Sequence, residues 1–358
     1  MSKIQLQNET QDEINKVFLQ TVNTGNTSLI NRLLMNKDFL QNLDLYIEDE
    51  YGRNALSLAC INDHINMVRY LLTSPDLKNH FNINHKNKNS ETALMFACNH
   101  GNLDIIKYLL TSSELKVHAN INALTNRQEN AFVWALHGGF EKVIEFLLTN
   151  ENINPTLDLN FKDFDENNIL ILASKYNSTK TIEFLLEYKA AKIMSNKWNK
   201  NNYGRNFLMV NCEIGNIDIV KYVLDNIKEE EYHYLTDIDI KGMNILMYAC
   251  YHEHTDMLDL LLDYDFIREN MNIHQKDSLG LDMLLHACNY QSDNIVKYLL
   301  TNFNIEVDDN VYKFLEERKK YIPIYDEYLS WIEKFRITKD LNKFLPENLN
   351  LNNKKIKV

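Results

Sequence analysis

A chain of 358 residues with a formal net charge of −12 lacks the clustered Lys and Arg that phosphate neutralisation requires, which sets nucleic acid aside as a ligand. Apolar residues make up 45% of it, enough for a packed core, and only 9 Gly and 4 Pro argue for helix throughout. No N-terminal apolar stretch resembles a signal peptide and no run reaches a membrane span, so a soluble, cytoplasmic protein without a membrane partner is expected.

In chain order, residues 1–11 are polar and read as a tail. From about Asp12 to Met35 a first helix pair is expected, with Phe18 inward, Gly25 at the turn and Leu33-Leu34 closing the second helix. The stretch from Thr92 to Leu110 shows the repeating unit. Thr92 can cap a helix, an apolar run ends in Ala97 and Cys98, and Gly101-Asn102 breaks the pattern. A second apolar stripe follows at Leu103, Ile105, Ile106, Leu109 and Leu110. Two helices this short do not hold alone in water, so the unit must stack on copies of itself.

The copies recur every 38 residues, at Leu56, Leu94, Phe132, Leu170, Leu208, Leu246 and Leu284, with Phe18 one step earlier. Two residues before these anchors stand Asn54, Thr92, Asn130, Asn168, Asn206, Asn244 and Asp282, each a preferred N-cap. Three after come Ala59, Ala97, Ala135, Ala173, Asn211, Ala249 and Ala287. Twelve after, an aliphatic column runs Val68, Ile106, Ile144, Ile182, Val220, Leu258 and Val296. Thirteen after, a charged column runs Arg69, Lys107, Glu145, Glu183, Lys221, Asp259 and Lys297, which marks the solvated side. Fourteen after, the aromatics Tyr70, Tyr108, Phe146, Phe184, Tyr222 and Tyr298 form a packing column.

This register resembles the ankyrin repeat, a turn followed by two helices at a period near 33. The chain keeps the family's hairpin glycine at Gly52, Gly204, Gly242 and Gly280, and its inter-helix Gly-Asn at Gly25-Asn26, Gly101-Asn102 and Gly215-Asn216. Asn82-Ile83-Asn84, Asn120-Ile121-Asn122 and Asp237-Ile238-Asp239 look like the family's hairpin strand. The Thr-Pro-Leu-His tetrapeptide is absent, and each copy carries about five extra residues before the next hairpin. The lengthened units are also similar to repeat families expanded in large DNA viruses, which would place the protein inside a host cell. The resemblance implies an all-α fold, an α-α solenoid with short β-hairpin loops. It divides the chain into an N-terminal tail and capping pair (1–44), seven repeats (45–304) and a C-terminal helical cap with a basic tail (305–358).

Several places depart from the pattern. Trp134 stands in an otherwise aliphatic helix, and the fourth copy has Glu166 and Asn177 where glycines are expected. The run Lys228-Glu229-Glu230-Glu231 reads as a solvated helix end. Cys60, Cys98, Cys212, Cys250 and Cys288 all fall four residues after an anchor, where a small buried residue fits, so structural thiols are expected rather than disulfides or zinc ligands. Beyond Glu306, Val311, Phe314 and Leu315, then Tyr328, Leu329, Trp331, Ile332 and Phe335, suggest two helices closing the open end. Leu345-Pro346-Glu347-Asn348-Leu349 is similar to the opening of an F-box, with too few residues after it to build one.

No catalytic constellation, cofactor loop or metal-ligand set emerges, and His252-Glu253-His254 reads as inter-helix turn residues. A non-enzymatic protein, without cofactor or metal, is expected. In the ankyrin family the hairpin tips and the exposed end of the first helix line a concave binding face. Transferred by register, that face comprises Tyr51, Arg53, Lys88, Asn99, His100, Arg127, His137, Phe164, Tyr176, Tyr203, Arg205, Tyr251, His252 and Tyr290. Tyrosine and arginine at exposed columns suit a protein interface. The expectation is a monomeric scaffold that binds a protein partner there. The alternative is an adaptor whose C-terminal helices recruit machinery such as a ubiquitin ligase.

Overall fold

The computed structural model describes residues 10–75, 77–78, 80–153, 156–176, 179–187, 197–250, 255–302, 307 and 309–342. It divides into two compact units, 1–194 and 195–358. In the first, helix pairs follow one another as Gln11–Asn23 with Thr27–Leu34, Ala55–Ile61 with Ile65–Thr73, Ala93–His100 with Leu103–Thr111, Ala131–Gly138 with Glu141–Thr149, and Ile169–Lys175 with Thr179–Glu187. In the second the pairs are Phe207–Ile214 with Ile217–Asp225, Ile245–Ala249 with Thr255–Asp263, and Met283–Asn289 with Asp293–Asn302. Asp309–Arg318 and Ile324–Asn342 follow.

Every anchor from Phe18 to Leu284 is buried, as is every member of the alanine column. The expected caps form. Asn54, Thr92, Asn130, Asn168, Asn206, Asn244 and Asp282 each accept a hydrogen bond from the backbone N–H three residues on, at 2.9–3.4 Å. At the N-terminal pair Thr10 and Glu13 make a reciprocal capping box. The five cysteines are free and buried, and burial pushes their thiols well up.

The hairpins differ from expectation. Among the described residues there is no strand, and the segments 82–84, 120–122 and 237–239 lie in turns and irregular loop. The loops are closed by side chains instead of a ladder. Seven residues before each anchor stands Asp49, Asn87, Thr125, Asp163, Asn201, Asp239 or Asp277, whose side-chain oxygen accepts backbone N–H groups from two or four residues ahead. Three residues past this closing residue the backbone turns left-handed, at Gly52, Ser90, Gln128, Glu166, Gly204, Gly242 and Gly280. Single backbone bonds then join successive tips. Asn126 N–H donates to Asn89 O and Phe164 N–H to Arg127 O in the first unit. Ile240 N–H donates to Tyr203 O and Ser278 N–H to Lys241 O in the second.

The extra residues of the long repeat also acquire structure. Lys37–Asn42 and Asp265–Asn270 are additional one-turn helices, and Glu229–Thr236 is a 3₁₀ segment. The last corrects the reading of Lys228-Glu229-Glu230-Glu231 as solvated. Glu229 and Glu230 are exposed, but Glu231 accepts from the Trp198 indole at 2.8 Å and pairs with the buried Lys197 at 3.0 Å. Burial opposes its charge, yet the bonds from Trp198 and Lys197 hold its carboxyl below the usual carboxylate range. A buried ammonium needs such a partner, and this one comes from the extra loop.

The charged column is exposed, apart from the half-buried Glu183, but not idle. Arg69 lies over the Tyr108 ring at 5.1 Å and Lys107 over Phe146 at 5.6 Å, so a cation of one repeat covers the aromatic of the next. Lys297 lies over Trp331 at 4.3 Å, and the Tyr328 hydroxyl donates to Asp293 at 2.5 Å, so Ile324–Asn342 takes the same place against the last repeat.

Tyr248 and His286 occupy the same place in successive first helices and bind the closing residue of their own hairpin. Tyr248 donates to Asp239 at 2.7 Å, and His286 Nε2 lies 3.0 Å from Asp277. His286 Nδ1 is buried without a partner, so the neutral ring, with its proton on Nε2, is the form that fits. Burial lowers the His286 pKa from its ordinary value, with Asp277 opposing. A lowered folded-state pKa means the unfolded chain binds the proton more readily. Stability is therefore full above about pH 6.5 and is lost as pH falls below it. Melting temperatures between pH 7.5 and 5.5 should fall more steeply for the natural chain than for His286→Asn, and parallel curves would refute this.

Residues 1–9, Asn177, His252-Glu253-His254 and the tail from Lys343 onward lie outside the described residues.

Candidate partner-binding surface

The hairpin closures aim two kinds of side chain at solvent: those at the loop tip, and those on the last turn of the first helix. Of the residues expected to bind, Tyr251 and His252 lie outside the described residues. The other twelve are exposed or half-buried. Their surroundings separate them.

Arg53 and Arg205 are engaged within the fold. Arg53 pairs with Asp49 at 2.6 Å and lies over the Tyr51 ring at 4.6 Å. Arg205 pairs with Glu213 at 2.8 Å and covers Tyr248 at 5.0 Å, so its guanidinium supports the hairpin. His100 turns back onto its own helix, Nδ1 lying 2.9 Å from Phe96 O. Tyr290 stacks on His286 at 6.0 Å. Tyr203 and Lys88 stand at hairpin tips with exposed side chains.

Four of the expected residues converge. Asn99, Arg127, His137 and Tyr176 line one cavity of about 500 Å³ in the first unit. Arg127 and Tyr176 also line a neighbouring hollow with Phe164, a residue 73% exposed. Register explains the meeting: Asn99 and His137 are one repeat apart, and so are Arg127 and the residue beside Phe164. His137 Nδ1 lies 2.8 Å from Asn99 Oδ1, and the His137 ring meets Tyr176 edge-on at 5.0 Å.

The rest of the lining was not assigned to the surface by sequence. Trp134 and Glu129 share the cavity, and Trp134 meets Phe96 edge-on at 5.4 Å. The missed signal is the column two residues after each anchor: Leu58, Phe96, Trp134, Leu172, Val210, Tyr248 and His286. Its larger members face the hairpins. The Trp134 Nε1 is buried and makes no hydrogen bond of good geometry. Burial raises the Glu129 carboxyl above its ordinary value, against the pull of Arg127, His137 and the Trp134 N–H. Burial, together with the charges of Glu129 and Asp163, raises the Tyr176 hydroxyl, with Arg127 opposing. In both cases burial is the leading cause, so the two groups favour their neutral forms more than they would in water. Among the described residues no group of three or more His, Cys, Asp or Glu could hold a metal, and no helix is long and apolar enough to cross a membrane.

A family model described as ankyrin repeats (3 copies) matches residues 76–158, 155–234 and 228–311, and one described as ankyrin repeat matches residues 51–88. Among solved structures, the chain is similar to the ankyrin repeat domain of Bcl-3, titled a unique member of the IkappaB protein family. The identity is 19%, over 69% of this chain and 98% of that one, with a TM-score of 0.50. No curated protein matches the chain.

Proposed function

The chain belongs to the ankyrin repeat family, and on that premise we propose that it is a non-enzymatic module that binds a protein partner through its hairpin tips and the adjoining ends of its first helices. One observation carries the reading. Arg127, His137, Phe164 and Tyr176, drawn from successive repeats, stand exposed or half-exposed around neighbouring hollows. Rigid aromatics and an arginine beside a concavity are what interface hot spots use. The partner acts within the compartment that holds this chain, for which a host-cell cytoplasm is the proposal, and the module acts as a monomer. The C-terminal helices are read as a cap instead of a recruiting arm. Tyr325, Tyr328 and Ile332 are buried, and Lys297 lies over the Trp331 ring, so the aromatic face of that helix is spent on packing within the fold.

The test is capture from lysate with the full chain as bait, beside an Arg127→Ala/Phe164→Ala variant. Both side chains are exposed and outside the core, so the fold should be kept. Truncating two hot-spot side chains should weaken specific partners by about 30-fold or more. Proteins held equally well by the variant would remove this surface from consideration.

A further inference from the structure

The cavity bordered by the second and third hairpins has a composition that narrows what can enter it. Four carboxylates, Glu91, Glu129, Asp163 and Asp165, line it or the adjoining hollow, against the two permanent cations Arg127 and Lys175. Glu91 is occupied by the side chains of Asn87 and Asn89, and Asp163 by Asn167. Glu129 is different. It is half-buried and has no hydrogen bond of good geometry and no ion pair among the described residues. Arg127 acts on it only from beyond salt-bridge range, unlike Arg53 and Arg205, which sit in close pairs. Beside Glu129 stand two aromatic rings, Trp134 and Tyr176.

We infer that this cavity receives an arginine side chain carried on a segment of the partner's polypeptide, with Glu129 as its counter-ion and Trp134 and Tyr176 as its walls. This rests on the protein-binding reading above and specifies the partner's chemistry. A planar guanidinium meets a carboxylate with two parallel donors while stacking on aromatic faces, a combination an ammonium does not reproduce. A cation over an aromatic face contributes on top of the ion pair when water is excluded. Entry of the cation would give the half-buried Glu129 carboxylate an ion pair, and a cavity of about 500 Å³ accommodates the side chain together with flanking backbone. An acidic segment is disfavoured, because it would meet this negative lining on a chain already at −12.

The probe is a labelled twelve-residue Gly/Ser peptide with arginine at every third position. Its counterpart carries citrulline, which keeps the shape and loses the charge, and a third peptide carries glutamate. Binding to the full chain is followed by fluorescence anisotropy at 150 mM salt. The arginine peptide should bind at least tenfold more tightly than the other two. Glu129→Gln should abolish that margin at an unchanged melting temperature, while Glu229→Gln/Glu230→Gln, which removes two exposed charges elsewhere, should leave affinity within twofold. Equal binding of the citrulline peptide, stronger binding of the glutamate peptide, or full affinity in Glu129→Gln would each overturn the inference. Loss of lysate partners from Arg127→Ala/Phe164→Ala alongside any of those results would leave the protein-binding reading standing and remove only the arginine.

Discussion

Truncating Phe132 to alanine should cost the first unit about 3–5 kcal/mol of stability. Phe132 has no exposed surface, and its helix packs between Ala93–His100 and Ile169–Lys175. No neighbour can fill the gap easily. The residues beside it in the column, Leu94 and Leu170, already sit under their own helices, and the small column of Ala97, Ala135 and Ala173 sets how closely those helices approach. Close-packed interiors relax only in part, so the cavity adds to the lost transfer energy. In a stack of repeats each unit leans on its neighbours, so the loss should also travel. Urea unfolding reads the total. Amide exchange should show protection falling in both flanking first helices, whereas the C-terminal Ile324–Asn342 helix, which belongs to the other unit, should stay protected. A cost below about 1 kcal/mol would mean the anchors do not form the core.

The second large effect separates two glycines with the same backbone angle. Gly204 and Gly280 sit at equivalent hairpin positions with φ of +76° and +78°. Alanine at either carries the left-handed penalty of about 1–2 kcal/mol. At Gly280 an added Cβ meets nothing within 4 Å. At Gly204 it would lie 2.8 Å from Ile240 N and 3.0 Å from Asp239 Cα, both backbone atoms of the next hairpin, which cannot rotate aside. The same Ile240 N–H donates to Tyr203 O at 3.1 Å, so relief of the clash would strain the bond joining the two tips. Gly204→Ala should therefore cost about 1–3 kcal/mol more than Gly280→Ala, the scale of forced overpacking. Paired thermal melts decide it, and equal losses would show that the tips can part freely.

What could be read from the sequence follows from what is local. Caps such as Asn54 and Asp282 need only a side chain and an amide three residues away, and the anchors need only a period, so both were visible. The closing residues were equally local but chemically mixed: Asp49, Asn87 and Thr125 do one job with three side chains, which hides the column from a search for identity. The hairpin strands were inferred from likeness, and the structure shows turns there because those closures satisfy the backbone without a ladder. The Lys197–Glu231 pair links residues 34 positions apart through a loop whose path the period does not specify, so the acid run read as solvent-facing. Register does bring Asn99, Arg127, His137 and Tyr176 to one cavity, since residues one period apart must be neighbours in a stack. It did not reveal Glu129 or the role of Trp134, because burial of a carboxyl beside an indole is a property of three repeats together.

The left-handed position of each loop is held by glycine in only four of the seven hairpins; Ser90, Gln128 and Glu166 adopt it in the others. A loop fastened at its base by one side chain asks little of the outward side chains at its crest, except where the next hairpin presses close, as at Gly204. Such outward positions can change while the helices beneath stay the same, so this architecture lets the surface drift faster than the scaffold that carries it.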